Sequence, residues 1–96
     1  MKEFKTSCPV TKVAQLLSDT WTMLVAEELL EGKKRFCELE RALPDISTRT
    51  LTLKLRKLEQ EGLARKREDG FYEATKKGRG LRIIERAMRR YGETYL

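Results

Sequence analysis

Apolar residues recur along this chain at spacings of three and four, interrupted by short polar breaks, which is the pattern of a helix-rich domain. Pro9 suits the first turn of a helix, and Val10, Val13, Ala14 and Leu17 follow at helical spacing. Ser18-Asp19-Thr20 breaks that pattern and offers capping oxygens. A second helix then places Trp21, Leu24, Val25 and Leu29 on one face and ends at Gly32. Lys33-Lys34-Arg35 reads as a polar connection to a brief third helix over 36–43, which uses Phe36, Leu39, Ala42 and Leu43 and is closed by Pro44. Ile46-Ser47-Thr48 opens a fourth helix, capped by Ser47 or Thr48, with Leu51, Leu55 and Leu58 as its buried stripe. Gly62 is a candidate left-handed cap at its end.

Asp69-Gly70 lies between two short extended runs, 63–68 and 71–74, and predicts a tight hairpin with a two-residue turn. Thr75 can cap a last helix that runs to near residue 93. The expected fold is therefore mainly α with a small two-stranded β-hairpin. Three short helices followed by a hairpin is the winged helix-turn-helix plan, with Pro44-Asp45-Ile46 as the turn between its two key helices. The last helix lies outside that core. Its residues Leu81, Ile84, Met88, Tyr91 and Tyr95 form a seam suited to another helix. A domain this small has little surface of its own to cover such a seam, so a second copy is the expected occupant.

Composition narrows the chemistry. The 96 residues suffice for one small domain, and no apolar run reaches membrane-spanning length. The absence of histidine removes Ser-His-Asp and Cys-His catalysis and any His-containing zinc site, while Cys8 and Cys37 are too few for a zinc cluster. No metal or cofactor is expected. Glu27 and Glu28 are adjacent and diverge on a helix, and Gly78-Arg79-Gly80 lacks the spacing of a phosphate loop. An enzyme is the poorest reading. Residues 1–10 carry Lys2, Glu3 and Lys5 and lack the apolar core of a signal peptide, so a cytoplasmic location is expected.

The net charge of +6 is uneven: residues 63–96 hold 10 basic and 5 acidic side chains. A run such as Arg65-Lys66-Arg67 is by itself an ordinary solvated face. Position changes that reading. With Leu51, Leu55 and Leu58 inward, the fourth helix turns Arg49, Leu53, Arg56 and Gln60 outward, flanked by Thr50, Thr52 and Lys57. Arginine can bond guanine O6 and N7 together, and a threonine methyl can touch thymine. Arg49, Thr50 and Leu53 are accordingly the candidate base readers of a double-stranded DNA operator. Ser47, Thr48, Lys54, Arg56 and Lys57, with Arg65, Lys66 and Arg67 on the wing, are candidate backbone contacts. The competing readings are a non-specific architectural or RNA-binding protein, which needs exposed stacking aromatics, and a protein–protein adaptor, which needs no polyanion footprint.

The sequence also resembles the HxlR-type family of small bacterial and archaeal regulators. The resemblance runs from Cys8-Pro9-Val10 through Trp21-Thr22-Met23-Leu24-Val25 and Glu27-Glu28-Leu29-Leu30-Glu31-Gly32. It continues in Arg35-Phe36-Cys37-Glu38-Leu39, Ala42-Leu43-Pro44-Asp45-Ile46-Ser47, Arg49-Thr50-Leu51-Thr52 and Glu61-Gly62-Leu63. Tyr72-Glu73-Ala74-Thr75-Lys76-Lys77-Gly78 closes it. The resemblance implies operator binding as a homodimer, with the first and last helices as the interface, which adds Val10 and Val13 to the seam. A repressor is the expected outcome, since a small dimer across a promoter excludes polymerase. Three departures stand out: Asp19-Thr20 where the family has Gly-Lys, Cys37 where a polar cap is usual, and a wing several residues shorter.

The resemblance further implies a signal. Several family members sense quinones, aldehydes or oxidants through a cysteine at the position of Cys8. A thiol near a helix N-terminus, close to Lys5, can be reactive, whereas small buried cysteines are inert packing residues. Both readings stay open for Cys8. Cys37, near a helix start, reads as structural.

Overall fold

The computed structural model describes residues 7–96, so Lys5 lies outside the described residues. Helices α1 (Pro9–Leu16), α2 (Thr20–Glu31), α3 (Phe36–Ala42) and α4 (Thr48–Gln60) precede strands β1 (Ala64–Lys66) and β2 (Tyr72–Ala74). A single turn, α5 (Lys76–Arg79), and the long α6 (Arg82–Tyr95) complete the chain. The winged helix-turn-helix plan is present: α3, a short turn, α4, and an antiparallel hairpin with Ala64 opposite Ala74.

Leu51, Leu55 and Leu58 of α4 are all at most 1% exposed, in one cluster with Val25, Ala26 and Leu29 of α2, Leu39, Ile46, Leu63, Ala64 and Leu81. Burying three leucines contributes on the order of 5–8 kcal/mol before the entropy of ordering them. Helix α2 is rotated from the expected face: Thr22, Met23, Ala26 and Leu30 are buried with Val25 and Leu29, while Trp21 and Leu24 are half-buried. A buried threonine at position 22 is tolerable because Asp19 caps α2. The Asp19 carboxylate accepts from the Thr22 N–H at 2.8 Å and from its hydroxyl at 2.6 Å.

Helix α4 ends as expected at Gly62, with paired bonds from Leu63 N to Leu58 O and from Gly62 N to Glu59 O. The hairpin differs from expectation. Its turn has three residues, Glu68-Asp69-Gly70, closed by Arg67 N donating to Phe71 O at 2.7 Å. Either favoured two-residue turn needs positive φ at its first central residue, which would be Asp69, and here only Gly70 has it, at 88°. Asp69 instead uses its carboxylate to accept from the Phe71 N–H. A further paired position was not expected: Lys34 forms an isolated antiparallel bridge with Tyr72 through bonds of 2.9 and 2.8 Å, beside the two-stranded sheet.

The expected single last helix is broken. Thr75 caps α5 by accepting from Gly78 N, and the chain then tightens through Leu81 N to Gly78 O at 3.0 Å before α6 begins. Gly78 is buried so tightly that a Cβ there would sit 1.9 Å from Leu63 O. The break drops Leu81 into the chain's own core, which corrects its expected place on an intermolecular seam. Ile84 also packs against that core. Two guanidinium ties hold α6 on α2: Arg82 to Leu30 O at 2.8 Å and Arg89 to Glu27 at 2.7 Å.

Burial pushes the Asp19 carboxyl up, but the Thr22 hydroxyl and N–H, with Lys54 beside them, outweigh it and bring the group down to about 2. Its stabilisation is therefore complete above its ordinary value of 3.8 and is lost as pH falls towards 2. Asp19→Asn is expected to destabilise by about 1–2 kcal/mol at neutral pH, allowing for partial exposure. Urea unfolding at several pH values checks this; the gap between variant and wild type should close in acid.

Candidate nucleic-acid interface

The stripe that buries α4 also sets what it shows to solvent. Arg49, Leu53, Arg56 and Gln60 project outward, with Leu53 48% exposed. Ser47 is the cap: its Oγ accepts from the Thr50 N–H at 3.0 Å and donates to the Thr50 hydroxyl at 2.9 Å. Thr50 is thus half-buried and committed to the helix start. Thr48 donates to Glu40 of α3 at 2.8 Å, which ties the two helices at the turn, and Thr52 donates back to Thr48 O.

The candidate cations divide into free and compensated groups. Lys54 and Lys57 reach back to the two carboxylate oxygens of Asp19, at 3.3 and 3.5 Å. Arg49 and Arg56 form no carboxylate pair among the described residues, so the outward charge of α4 rests on them. Asp19 stands where the resembling family has a Gly-Lys pair, and it trades cationic surface for a bond between α2 and α4.

The wing divides the same way. Residues 64–74 hold three basic and three acidic side chains and carry no net charge. Arg65 pairs with Glu73 across the strands, and Arg67 reaches Asp69 at 3.2 Å and Glu73 at 3.3 Å. The Arg65 hydrogen bond holds the Glu73 carboxyl below its ordinary range. Lys66 lies 5.7 Å from the Tyr72 ring centre and keeps no carboxylate partner among the described residues. The basic run is therefore less of a footprint than its sequence suggests; counting Glu68, Asp69 and Glu73 alongside it gives the signal. Lys33 and Arg35, which sequence reasoning left in a connector, lie 4.5 and 4.2 Å from the Phe71 ring centre at the hairpin.

The proposed seam separates into two parts. Leu81 and Ile84 belong to the chain's own packing, whereas Met88, Tyr91 and Tyr95 are 53%, 61% and 71% exposed. Ile83 and Leu96, at 78% and 99%, extend that apolar strip, and the Tyr91 and Tyr95 rings meet at a tilt, 4.9 Å between centres. On α1, Val10 is 76% and Val13 37% exposed. Cys8 is exposed at the α1 N-cap, where the Thr11 backbone N–H, then its hydroxyl, pull the thiol below its ordinary value. Cys8 is therefore not packed into the core of its own chain. Cys37 is likewise exposed, in the first turn of α3, and is not a packing residue. Among the described residues no cluster of three His, Cys, Asp or Glu could hold a metal, and no helix is long and apolar enough to cross a membrane.

Known proteins share both sequence and architecture with this chain. The HTH-type transcriptional regulator sll1512 of Synechocystis is 37% identical over 93% of the chain and 70% of its own length. The quinone-bound structure of YodB from Bacillus subtilis superposes with a TM-score of 0.84 at 29% identity, covering 92% of this chain and all of that one. The redox regulator HypR in its reduced form gives 0.82 at 32% identity, covering 91% and 92% of the two chains. The profile of the HxlR-like helix-turn-helix family matches residues 16–96. With the turn, the outward α4 face and the hairpin all in place, this chain belongs to the HxlR-like helix-turn-helix family of transcriptional regulators.

Proposed function

We propose that this protein is a homodimeric, sequence-specific double-stranded DNA-binding regulator that represses transcription and responds to oxidants or electrophiles through Cys8. The observation that carries the reading is the α4 face: three buried leucines on one side and Arg49, Leu53 and Arg56 free on the other. Residues 47–61 enter the major groove, and Arg49 and Leu53 near the N-terminal turns read base edges. Thr50 keeps the helix start in register through its bonds to Ser47. Ser47, Thr48 and Arg56 meet phosphates, and Lys54 and Lys57 do so only on release from Asp19.

The dimer forms through α1 and the exposed part of α6: Val10, Val13, Ile83, Met88, Tyr91, Tyr95 and Leu96. Leaving such an apolar strip in water is unfavourable at roughly 25 cal/mol per Å², and a two-fold partner covers it on both copies. Cys8 begins α1, so modification of its thiol acts beside that interface and can change the spacing of the two reading helices. Its exposure and lowered pKa support reactivity. YodB bound to quinone and HypR in reduced form are precedents among structurally similar regulators. The reducing cytoplasm is the setting in which such a thiol responds.

Selection of bound sequences from a randomised duplex pool, with reduced protein, tests the whole reading. The expected product is a palindrome with half-sites about one helical turn apart. Oxidant should release wild-type protein from it and leave Cys8→Ser bound. Binding without enrichment would indicate an architectural protein, and no binding an adaptor. Arg49→Ala is expected to weaken specific binding by ~1–3 kcal/mol and relax preference at one base pair, read by competition with mutated sites. Met88→Asp with Tyr91→Asp should give folded monomers by light scattering, since neither residue is needed by the monomer core; a retained dimer would place the interface elsewhere.

A further inference from the structure

The outer face of the small sheet gathers charges contributed by two separate parts of the chain. The bridge between Lys34 and Tyr72 makes residues 33–35 a strand edge beside β2, so successive side chains alternate between its faces. Lys34 turns to the body of the protein, where its ammonium meets Glu28 at 3.0 Å and Glu31 at 2.9 Å. Lys33 and Arg35 are sent to the other face, where both lie over Phe71. Arg65 and Glu73 share that face by register, and Arg67 reaches the same Glu73.

Charge on this face is partitioned sharply. Asp69 and Glu73 are engaged by Arg67, and Glu73 also by Arg65. For either arginine to bind a polyanion, it would have to leave a carboxylate facing that polyanion. Lys33 is 3.8 Å from Asp69, at the edge of an ion pair, and Arg35 forms no carboxylate pair among the described residues. An ideal Cβ on Gly70 would lie 3.2 Å from Arg35 Nη1, so the Arg35 guanidinium sits at the hairpin tip. A ring beneath a cation orders its stem without neutralising its charge, and the guanidinium fork matches phosphate oxygens.

We propose that Lys33 and Arg35, held over Phe71, form the duplex-phosphate contact on the wing side of the interface, and that Arg65 and Arg67, neutralised by Glu73 and Asp69, belong to the support that carries them. This rests on the DNA-binding reading above. It moves the wing contact expected from the sequence off the strand run and onto a segment that precedes α3. The hairpin can then be short, since the cations reach its tip from the neighbouring edge.

The test is the salt dependence of binding to a mixed-sequence duplex of about 30 base pairs, from roughly 50 to 300 mM salt, with the full chain. Lys33→Gln with Arg35→Gln should make the log–log slope shallower by about two per protomer, about four for the bound dimer, while Arg65→Gln with Arg67→Gln should change it by less than about one per protomer. Lys33→Arg with Arg35→Lys keeps both charges and should restore the wild-type slope. Thermal melts confirm folding, and Arg35→Gln alone, with an expected loss of about one per protomer, serves if the double variant melts early. A slope that falls in the hairpin variant and not in the Lys33/Arg35 variant overturns this assignment and leaves the DNA-binding reading standing. Failure of the wild-type chain to bind any duplex overturns both.

Discussion

Burial of Leu51, Leu55 and Leu58 against α2 fixes the rotation of α4, and the functional face follows from that rotation. Turning the helix by one residue would carry Thr52, Arg56 and Glu59 into the space these leucines fill. The lost burial alone is on the order of 5–8 kcal/mol, comparable with the whole stability of a small domain, and a buried unpaired arginine would add to it. The outward residues are therefore locked in place by side chains that never meet solvent. Asp19 reinforces the arrangement: it caps α2, satisfies the buried Thr22 and draws in Lys54 and Lys57 of α4.

That same economy of charge shapes the interface. A chain of net charge +6 does not present its cations evenly. Lys54, Lys57, Arg65 and Arg67 are held by carboxylates of the chain, and Lys34 is turned inward to Glu28 and Glu31. Arg49, Arg56, Arg35 and Lys66 keep their charge available. Within α4, the hairpin and the segment beside it these four are the cations without a carboxylate partner among the described residues, and their fixed places favour an oriented contact with a polyanion over a diffuse one. Residues that look interchangeable in the sequence are thus separated by where the nearest carboxylate lies.

The C-terminal part makes a parallel division among apolar residues. A seam spaced three and four reads as one stripe, yet the break at Gly80-Leu81 assigns its first members to the chain's own core. The remainder, from Met88 onward, stays in water on an arm tied to the body by Arg82 and Arg89. The arm's attachment to α2 links the apolar strip to the helix that packs against α4.

Local chemistry made much of this legible in the sequence. The periodicity of leucine, the Ser47 cap, Gly62 after the fourth helix and the Asp69-Gly70 turn each act within one turn of chain, so helix order, the winged plan and the α4 face were all readable. The exact turn was not, because Asp69 spent its side chain on Phe71 and Arg67. Tertiary structure alone decided three matters: the pairing of Lys34 with Tyr72, the capture of Leu81 by the core, and the hold of Asp19 on Lys54 and Lys57. Each depends on groups far apart in sequence, whose approach is set by core packing and not by local spacing. Periodicity states which residues share a face; only the packed fold states what that face meets.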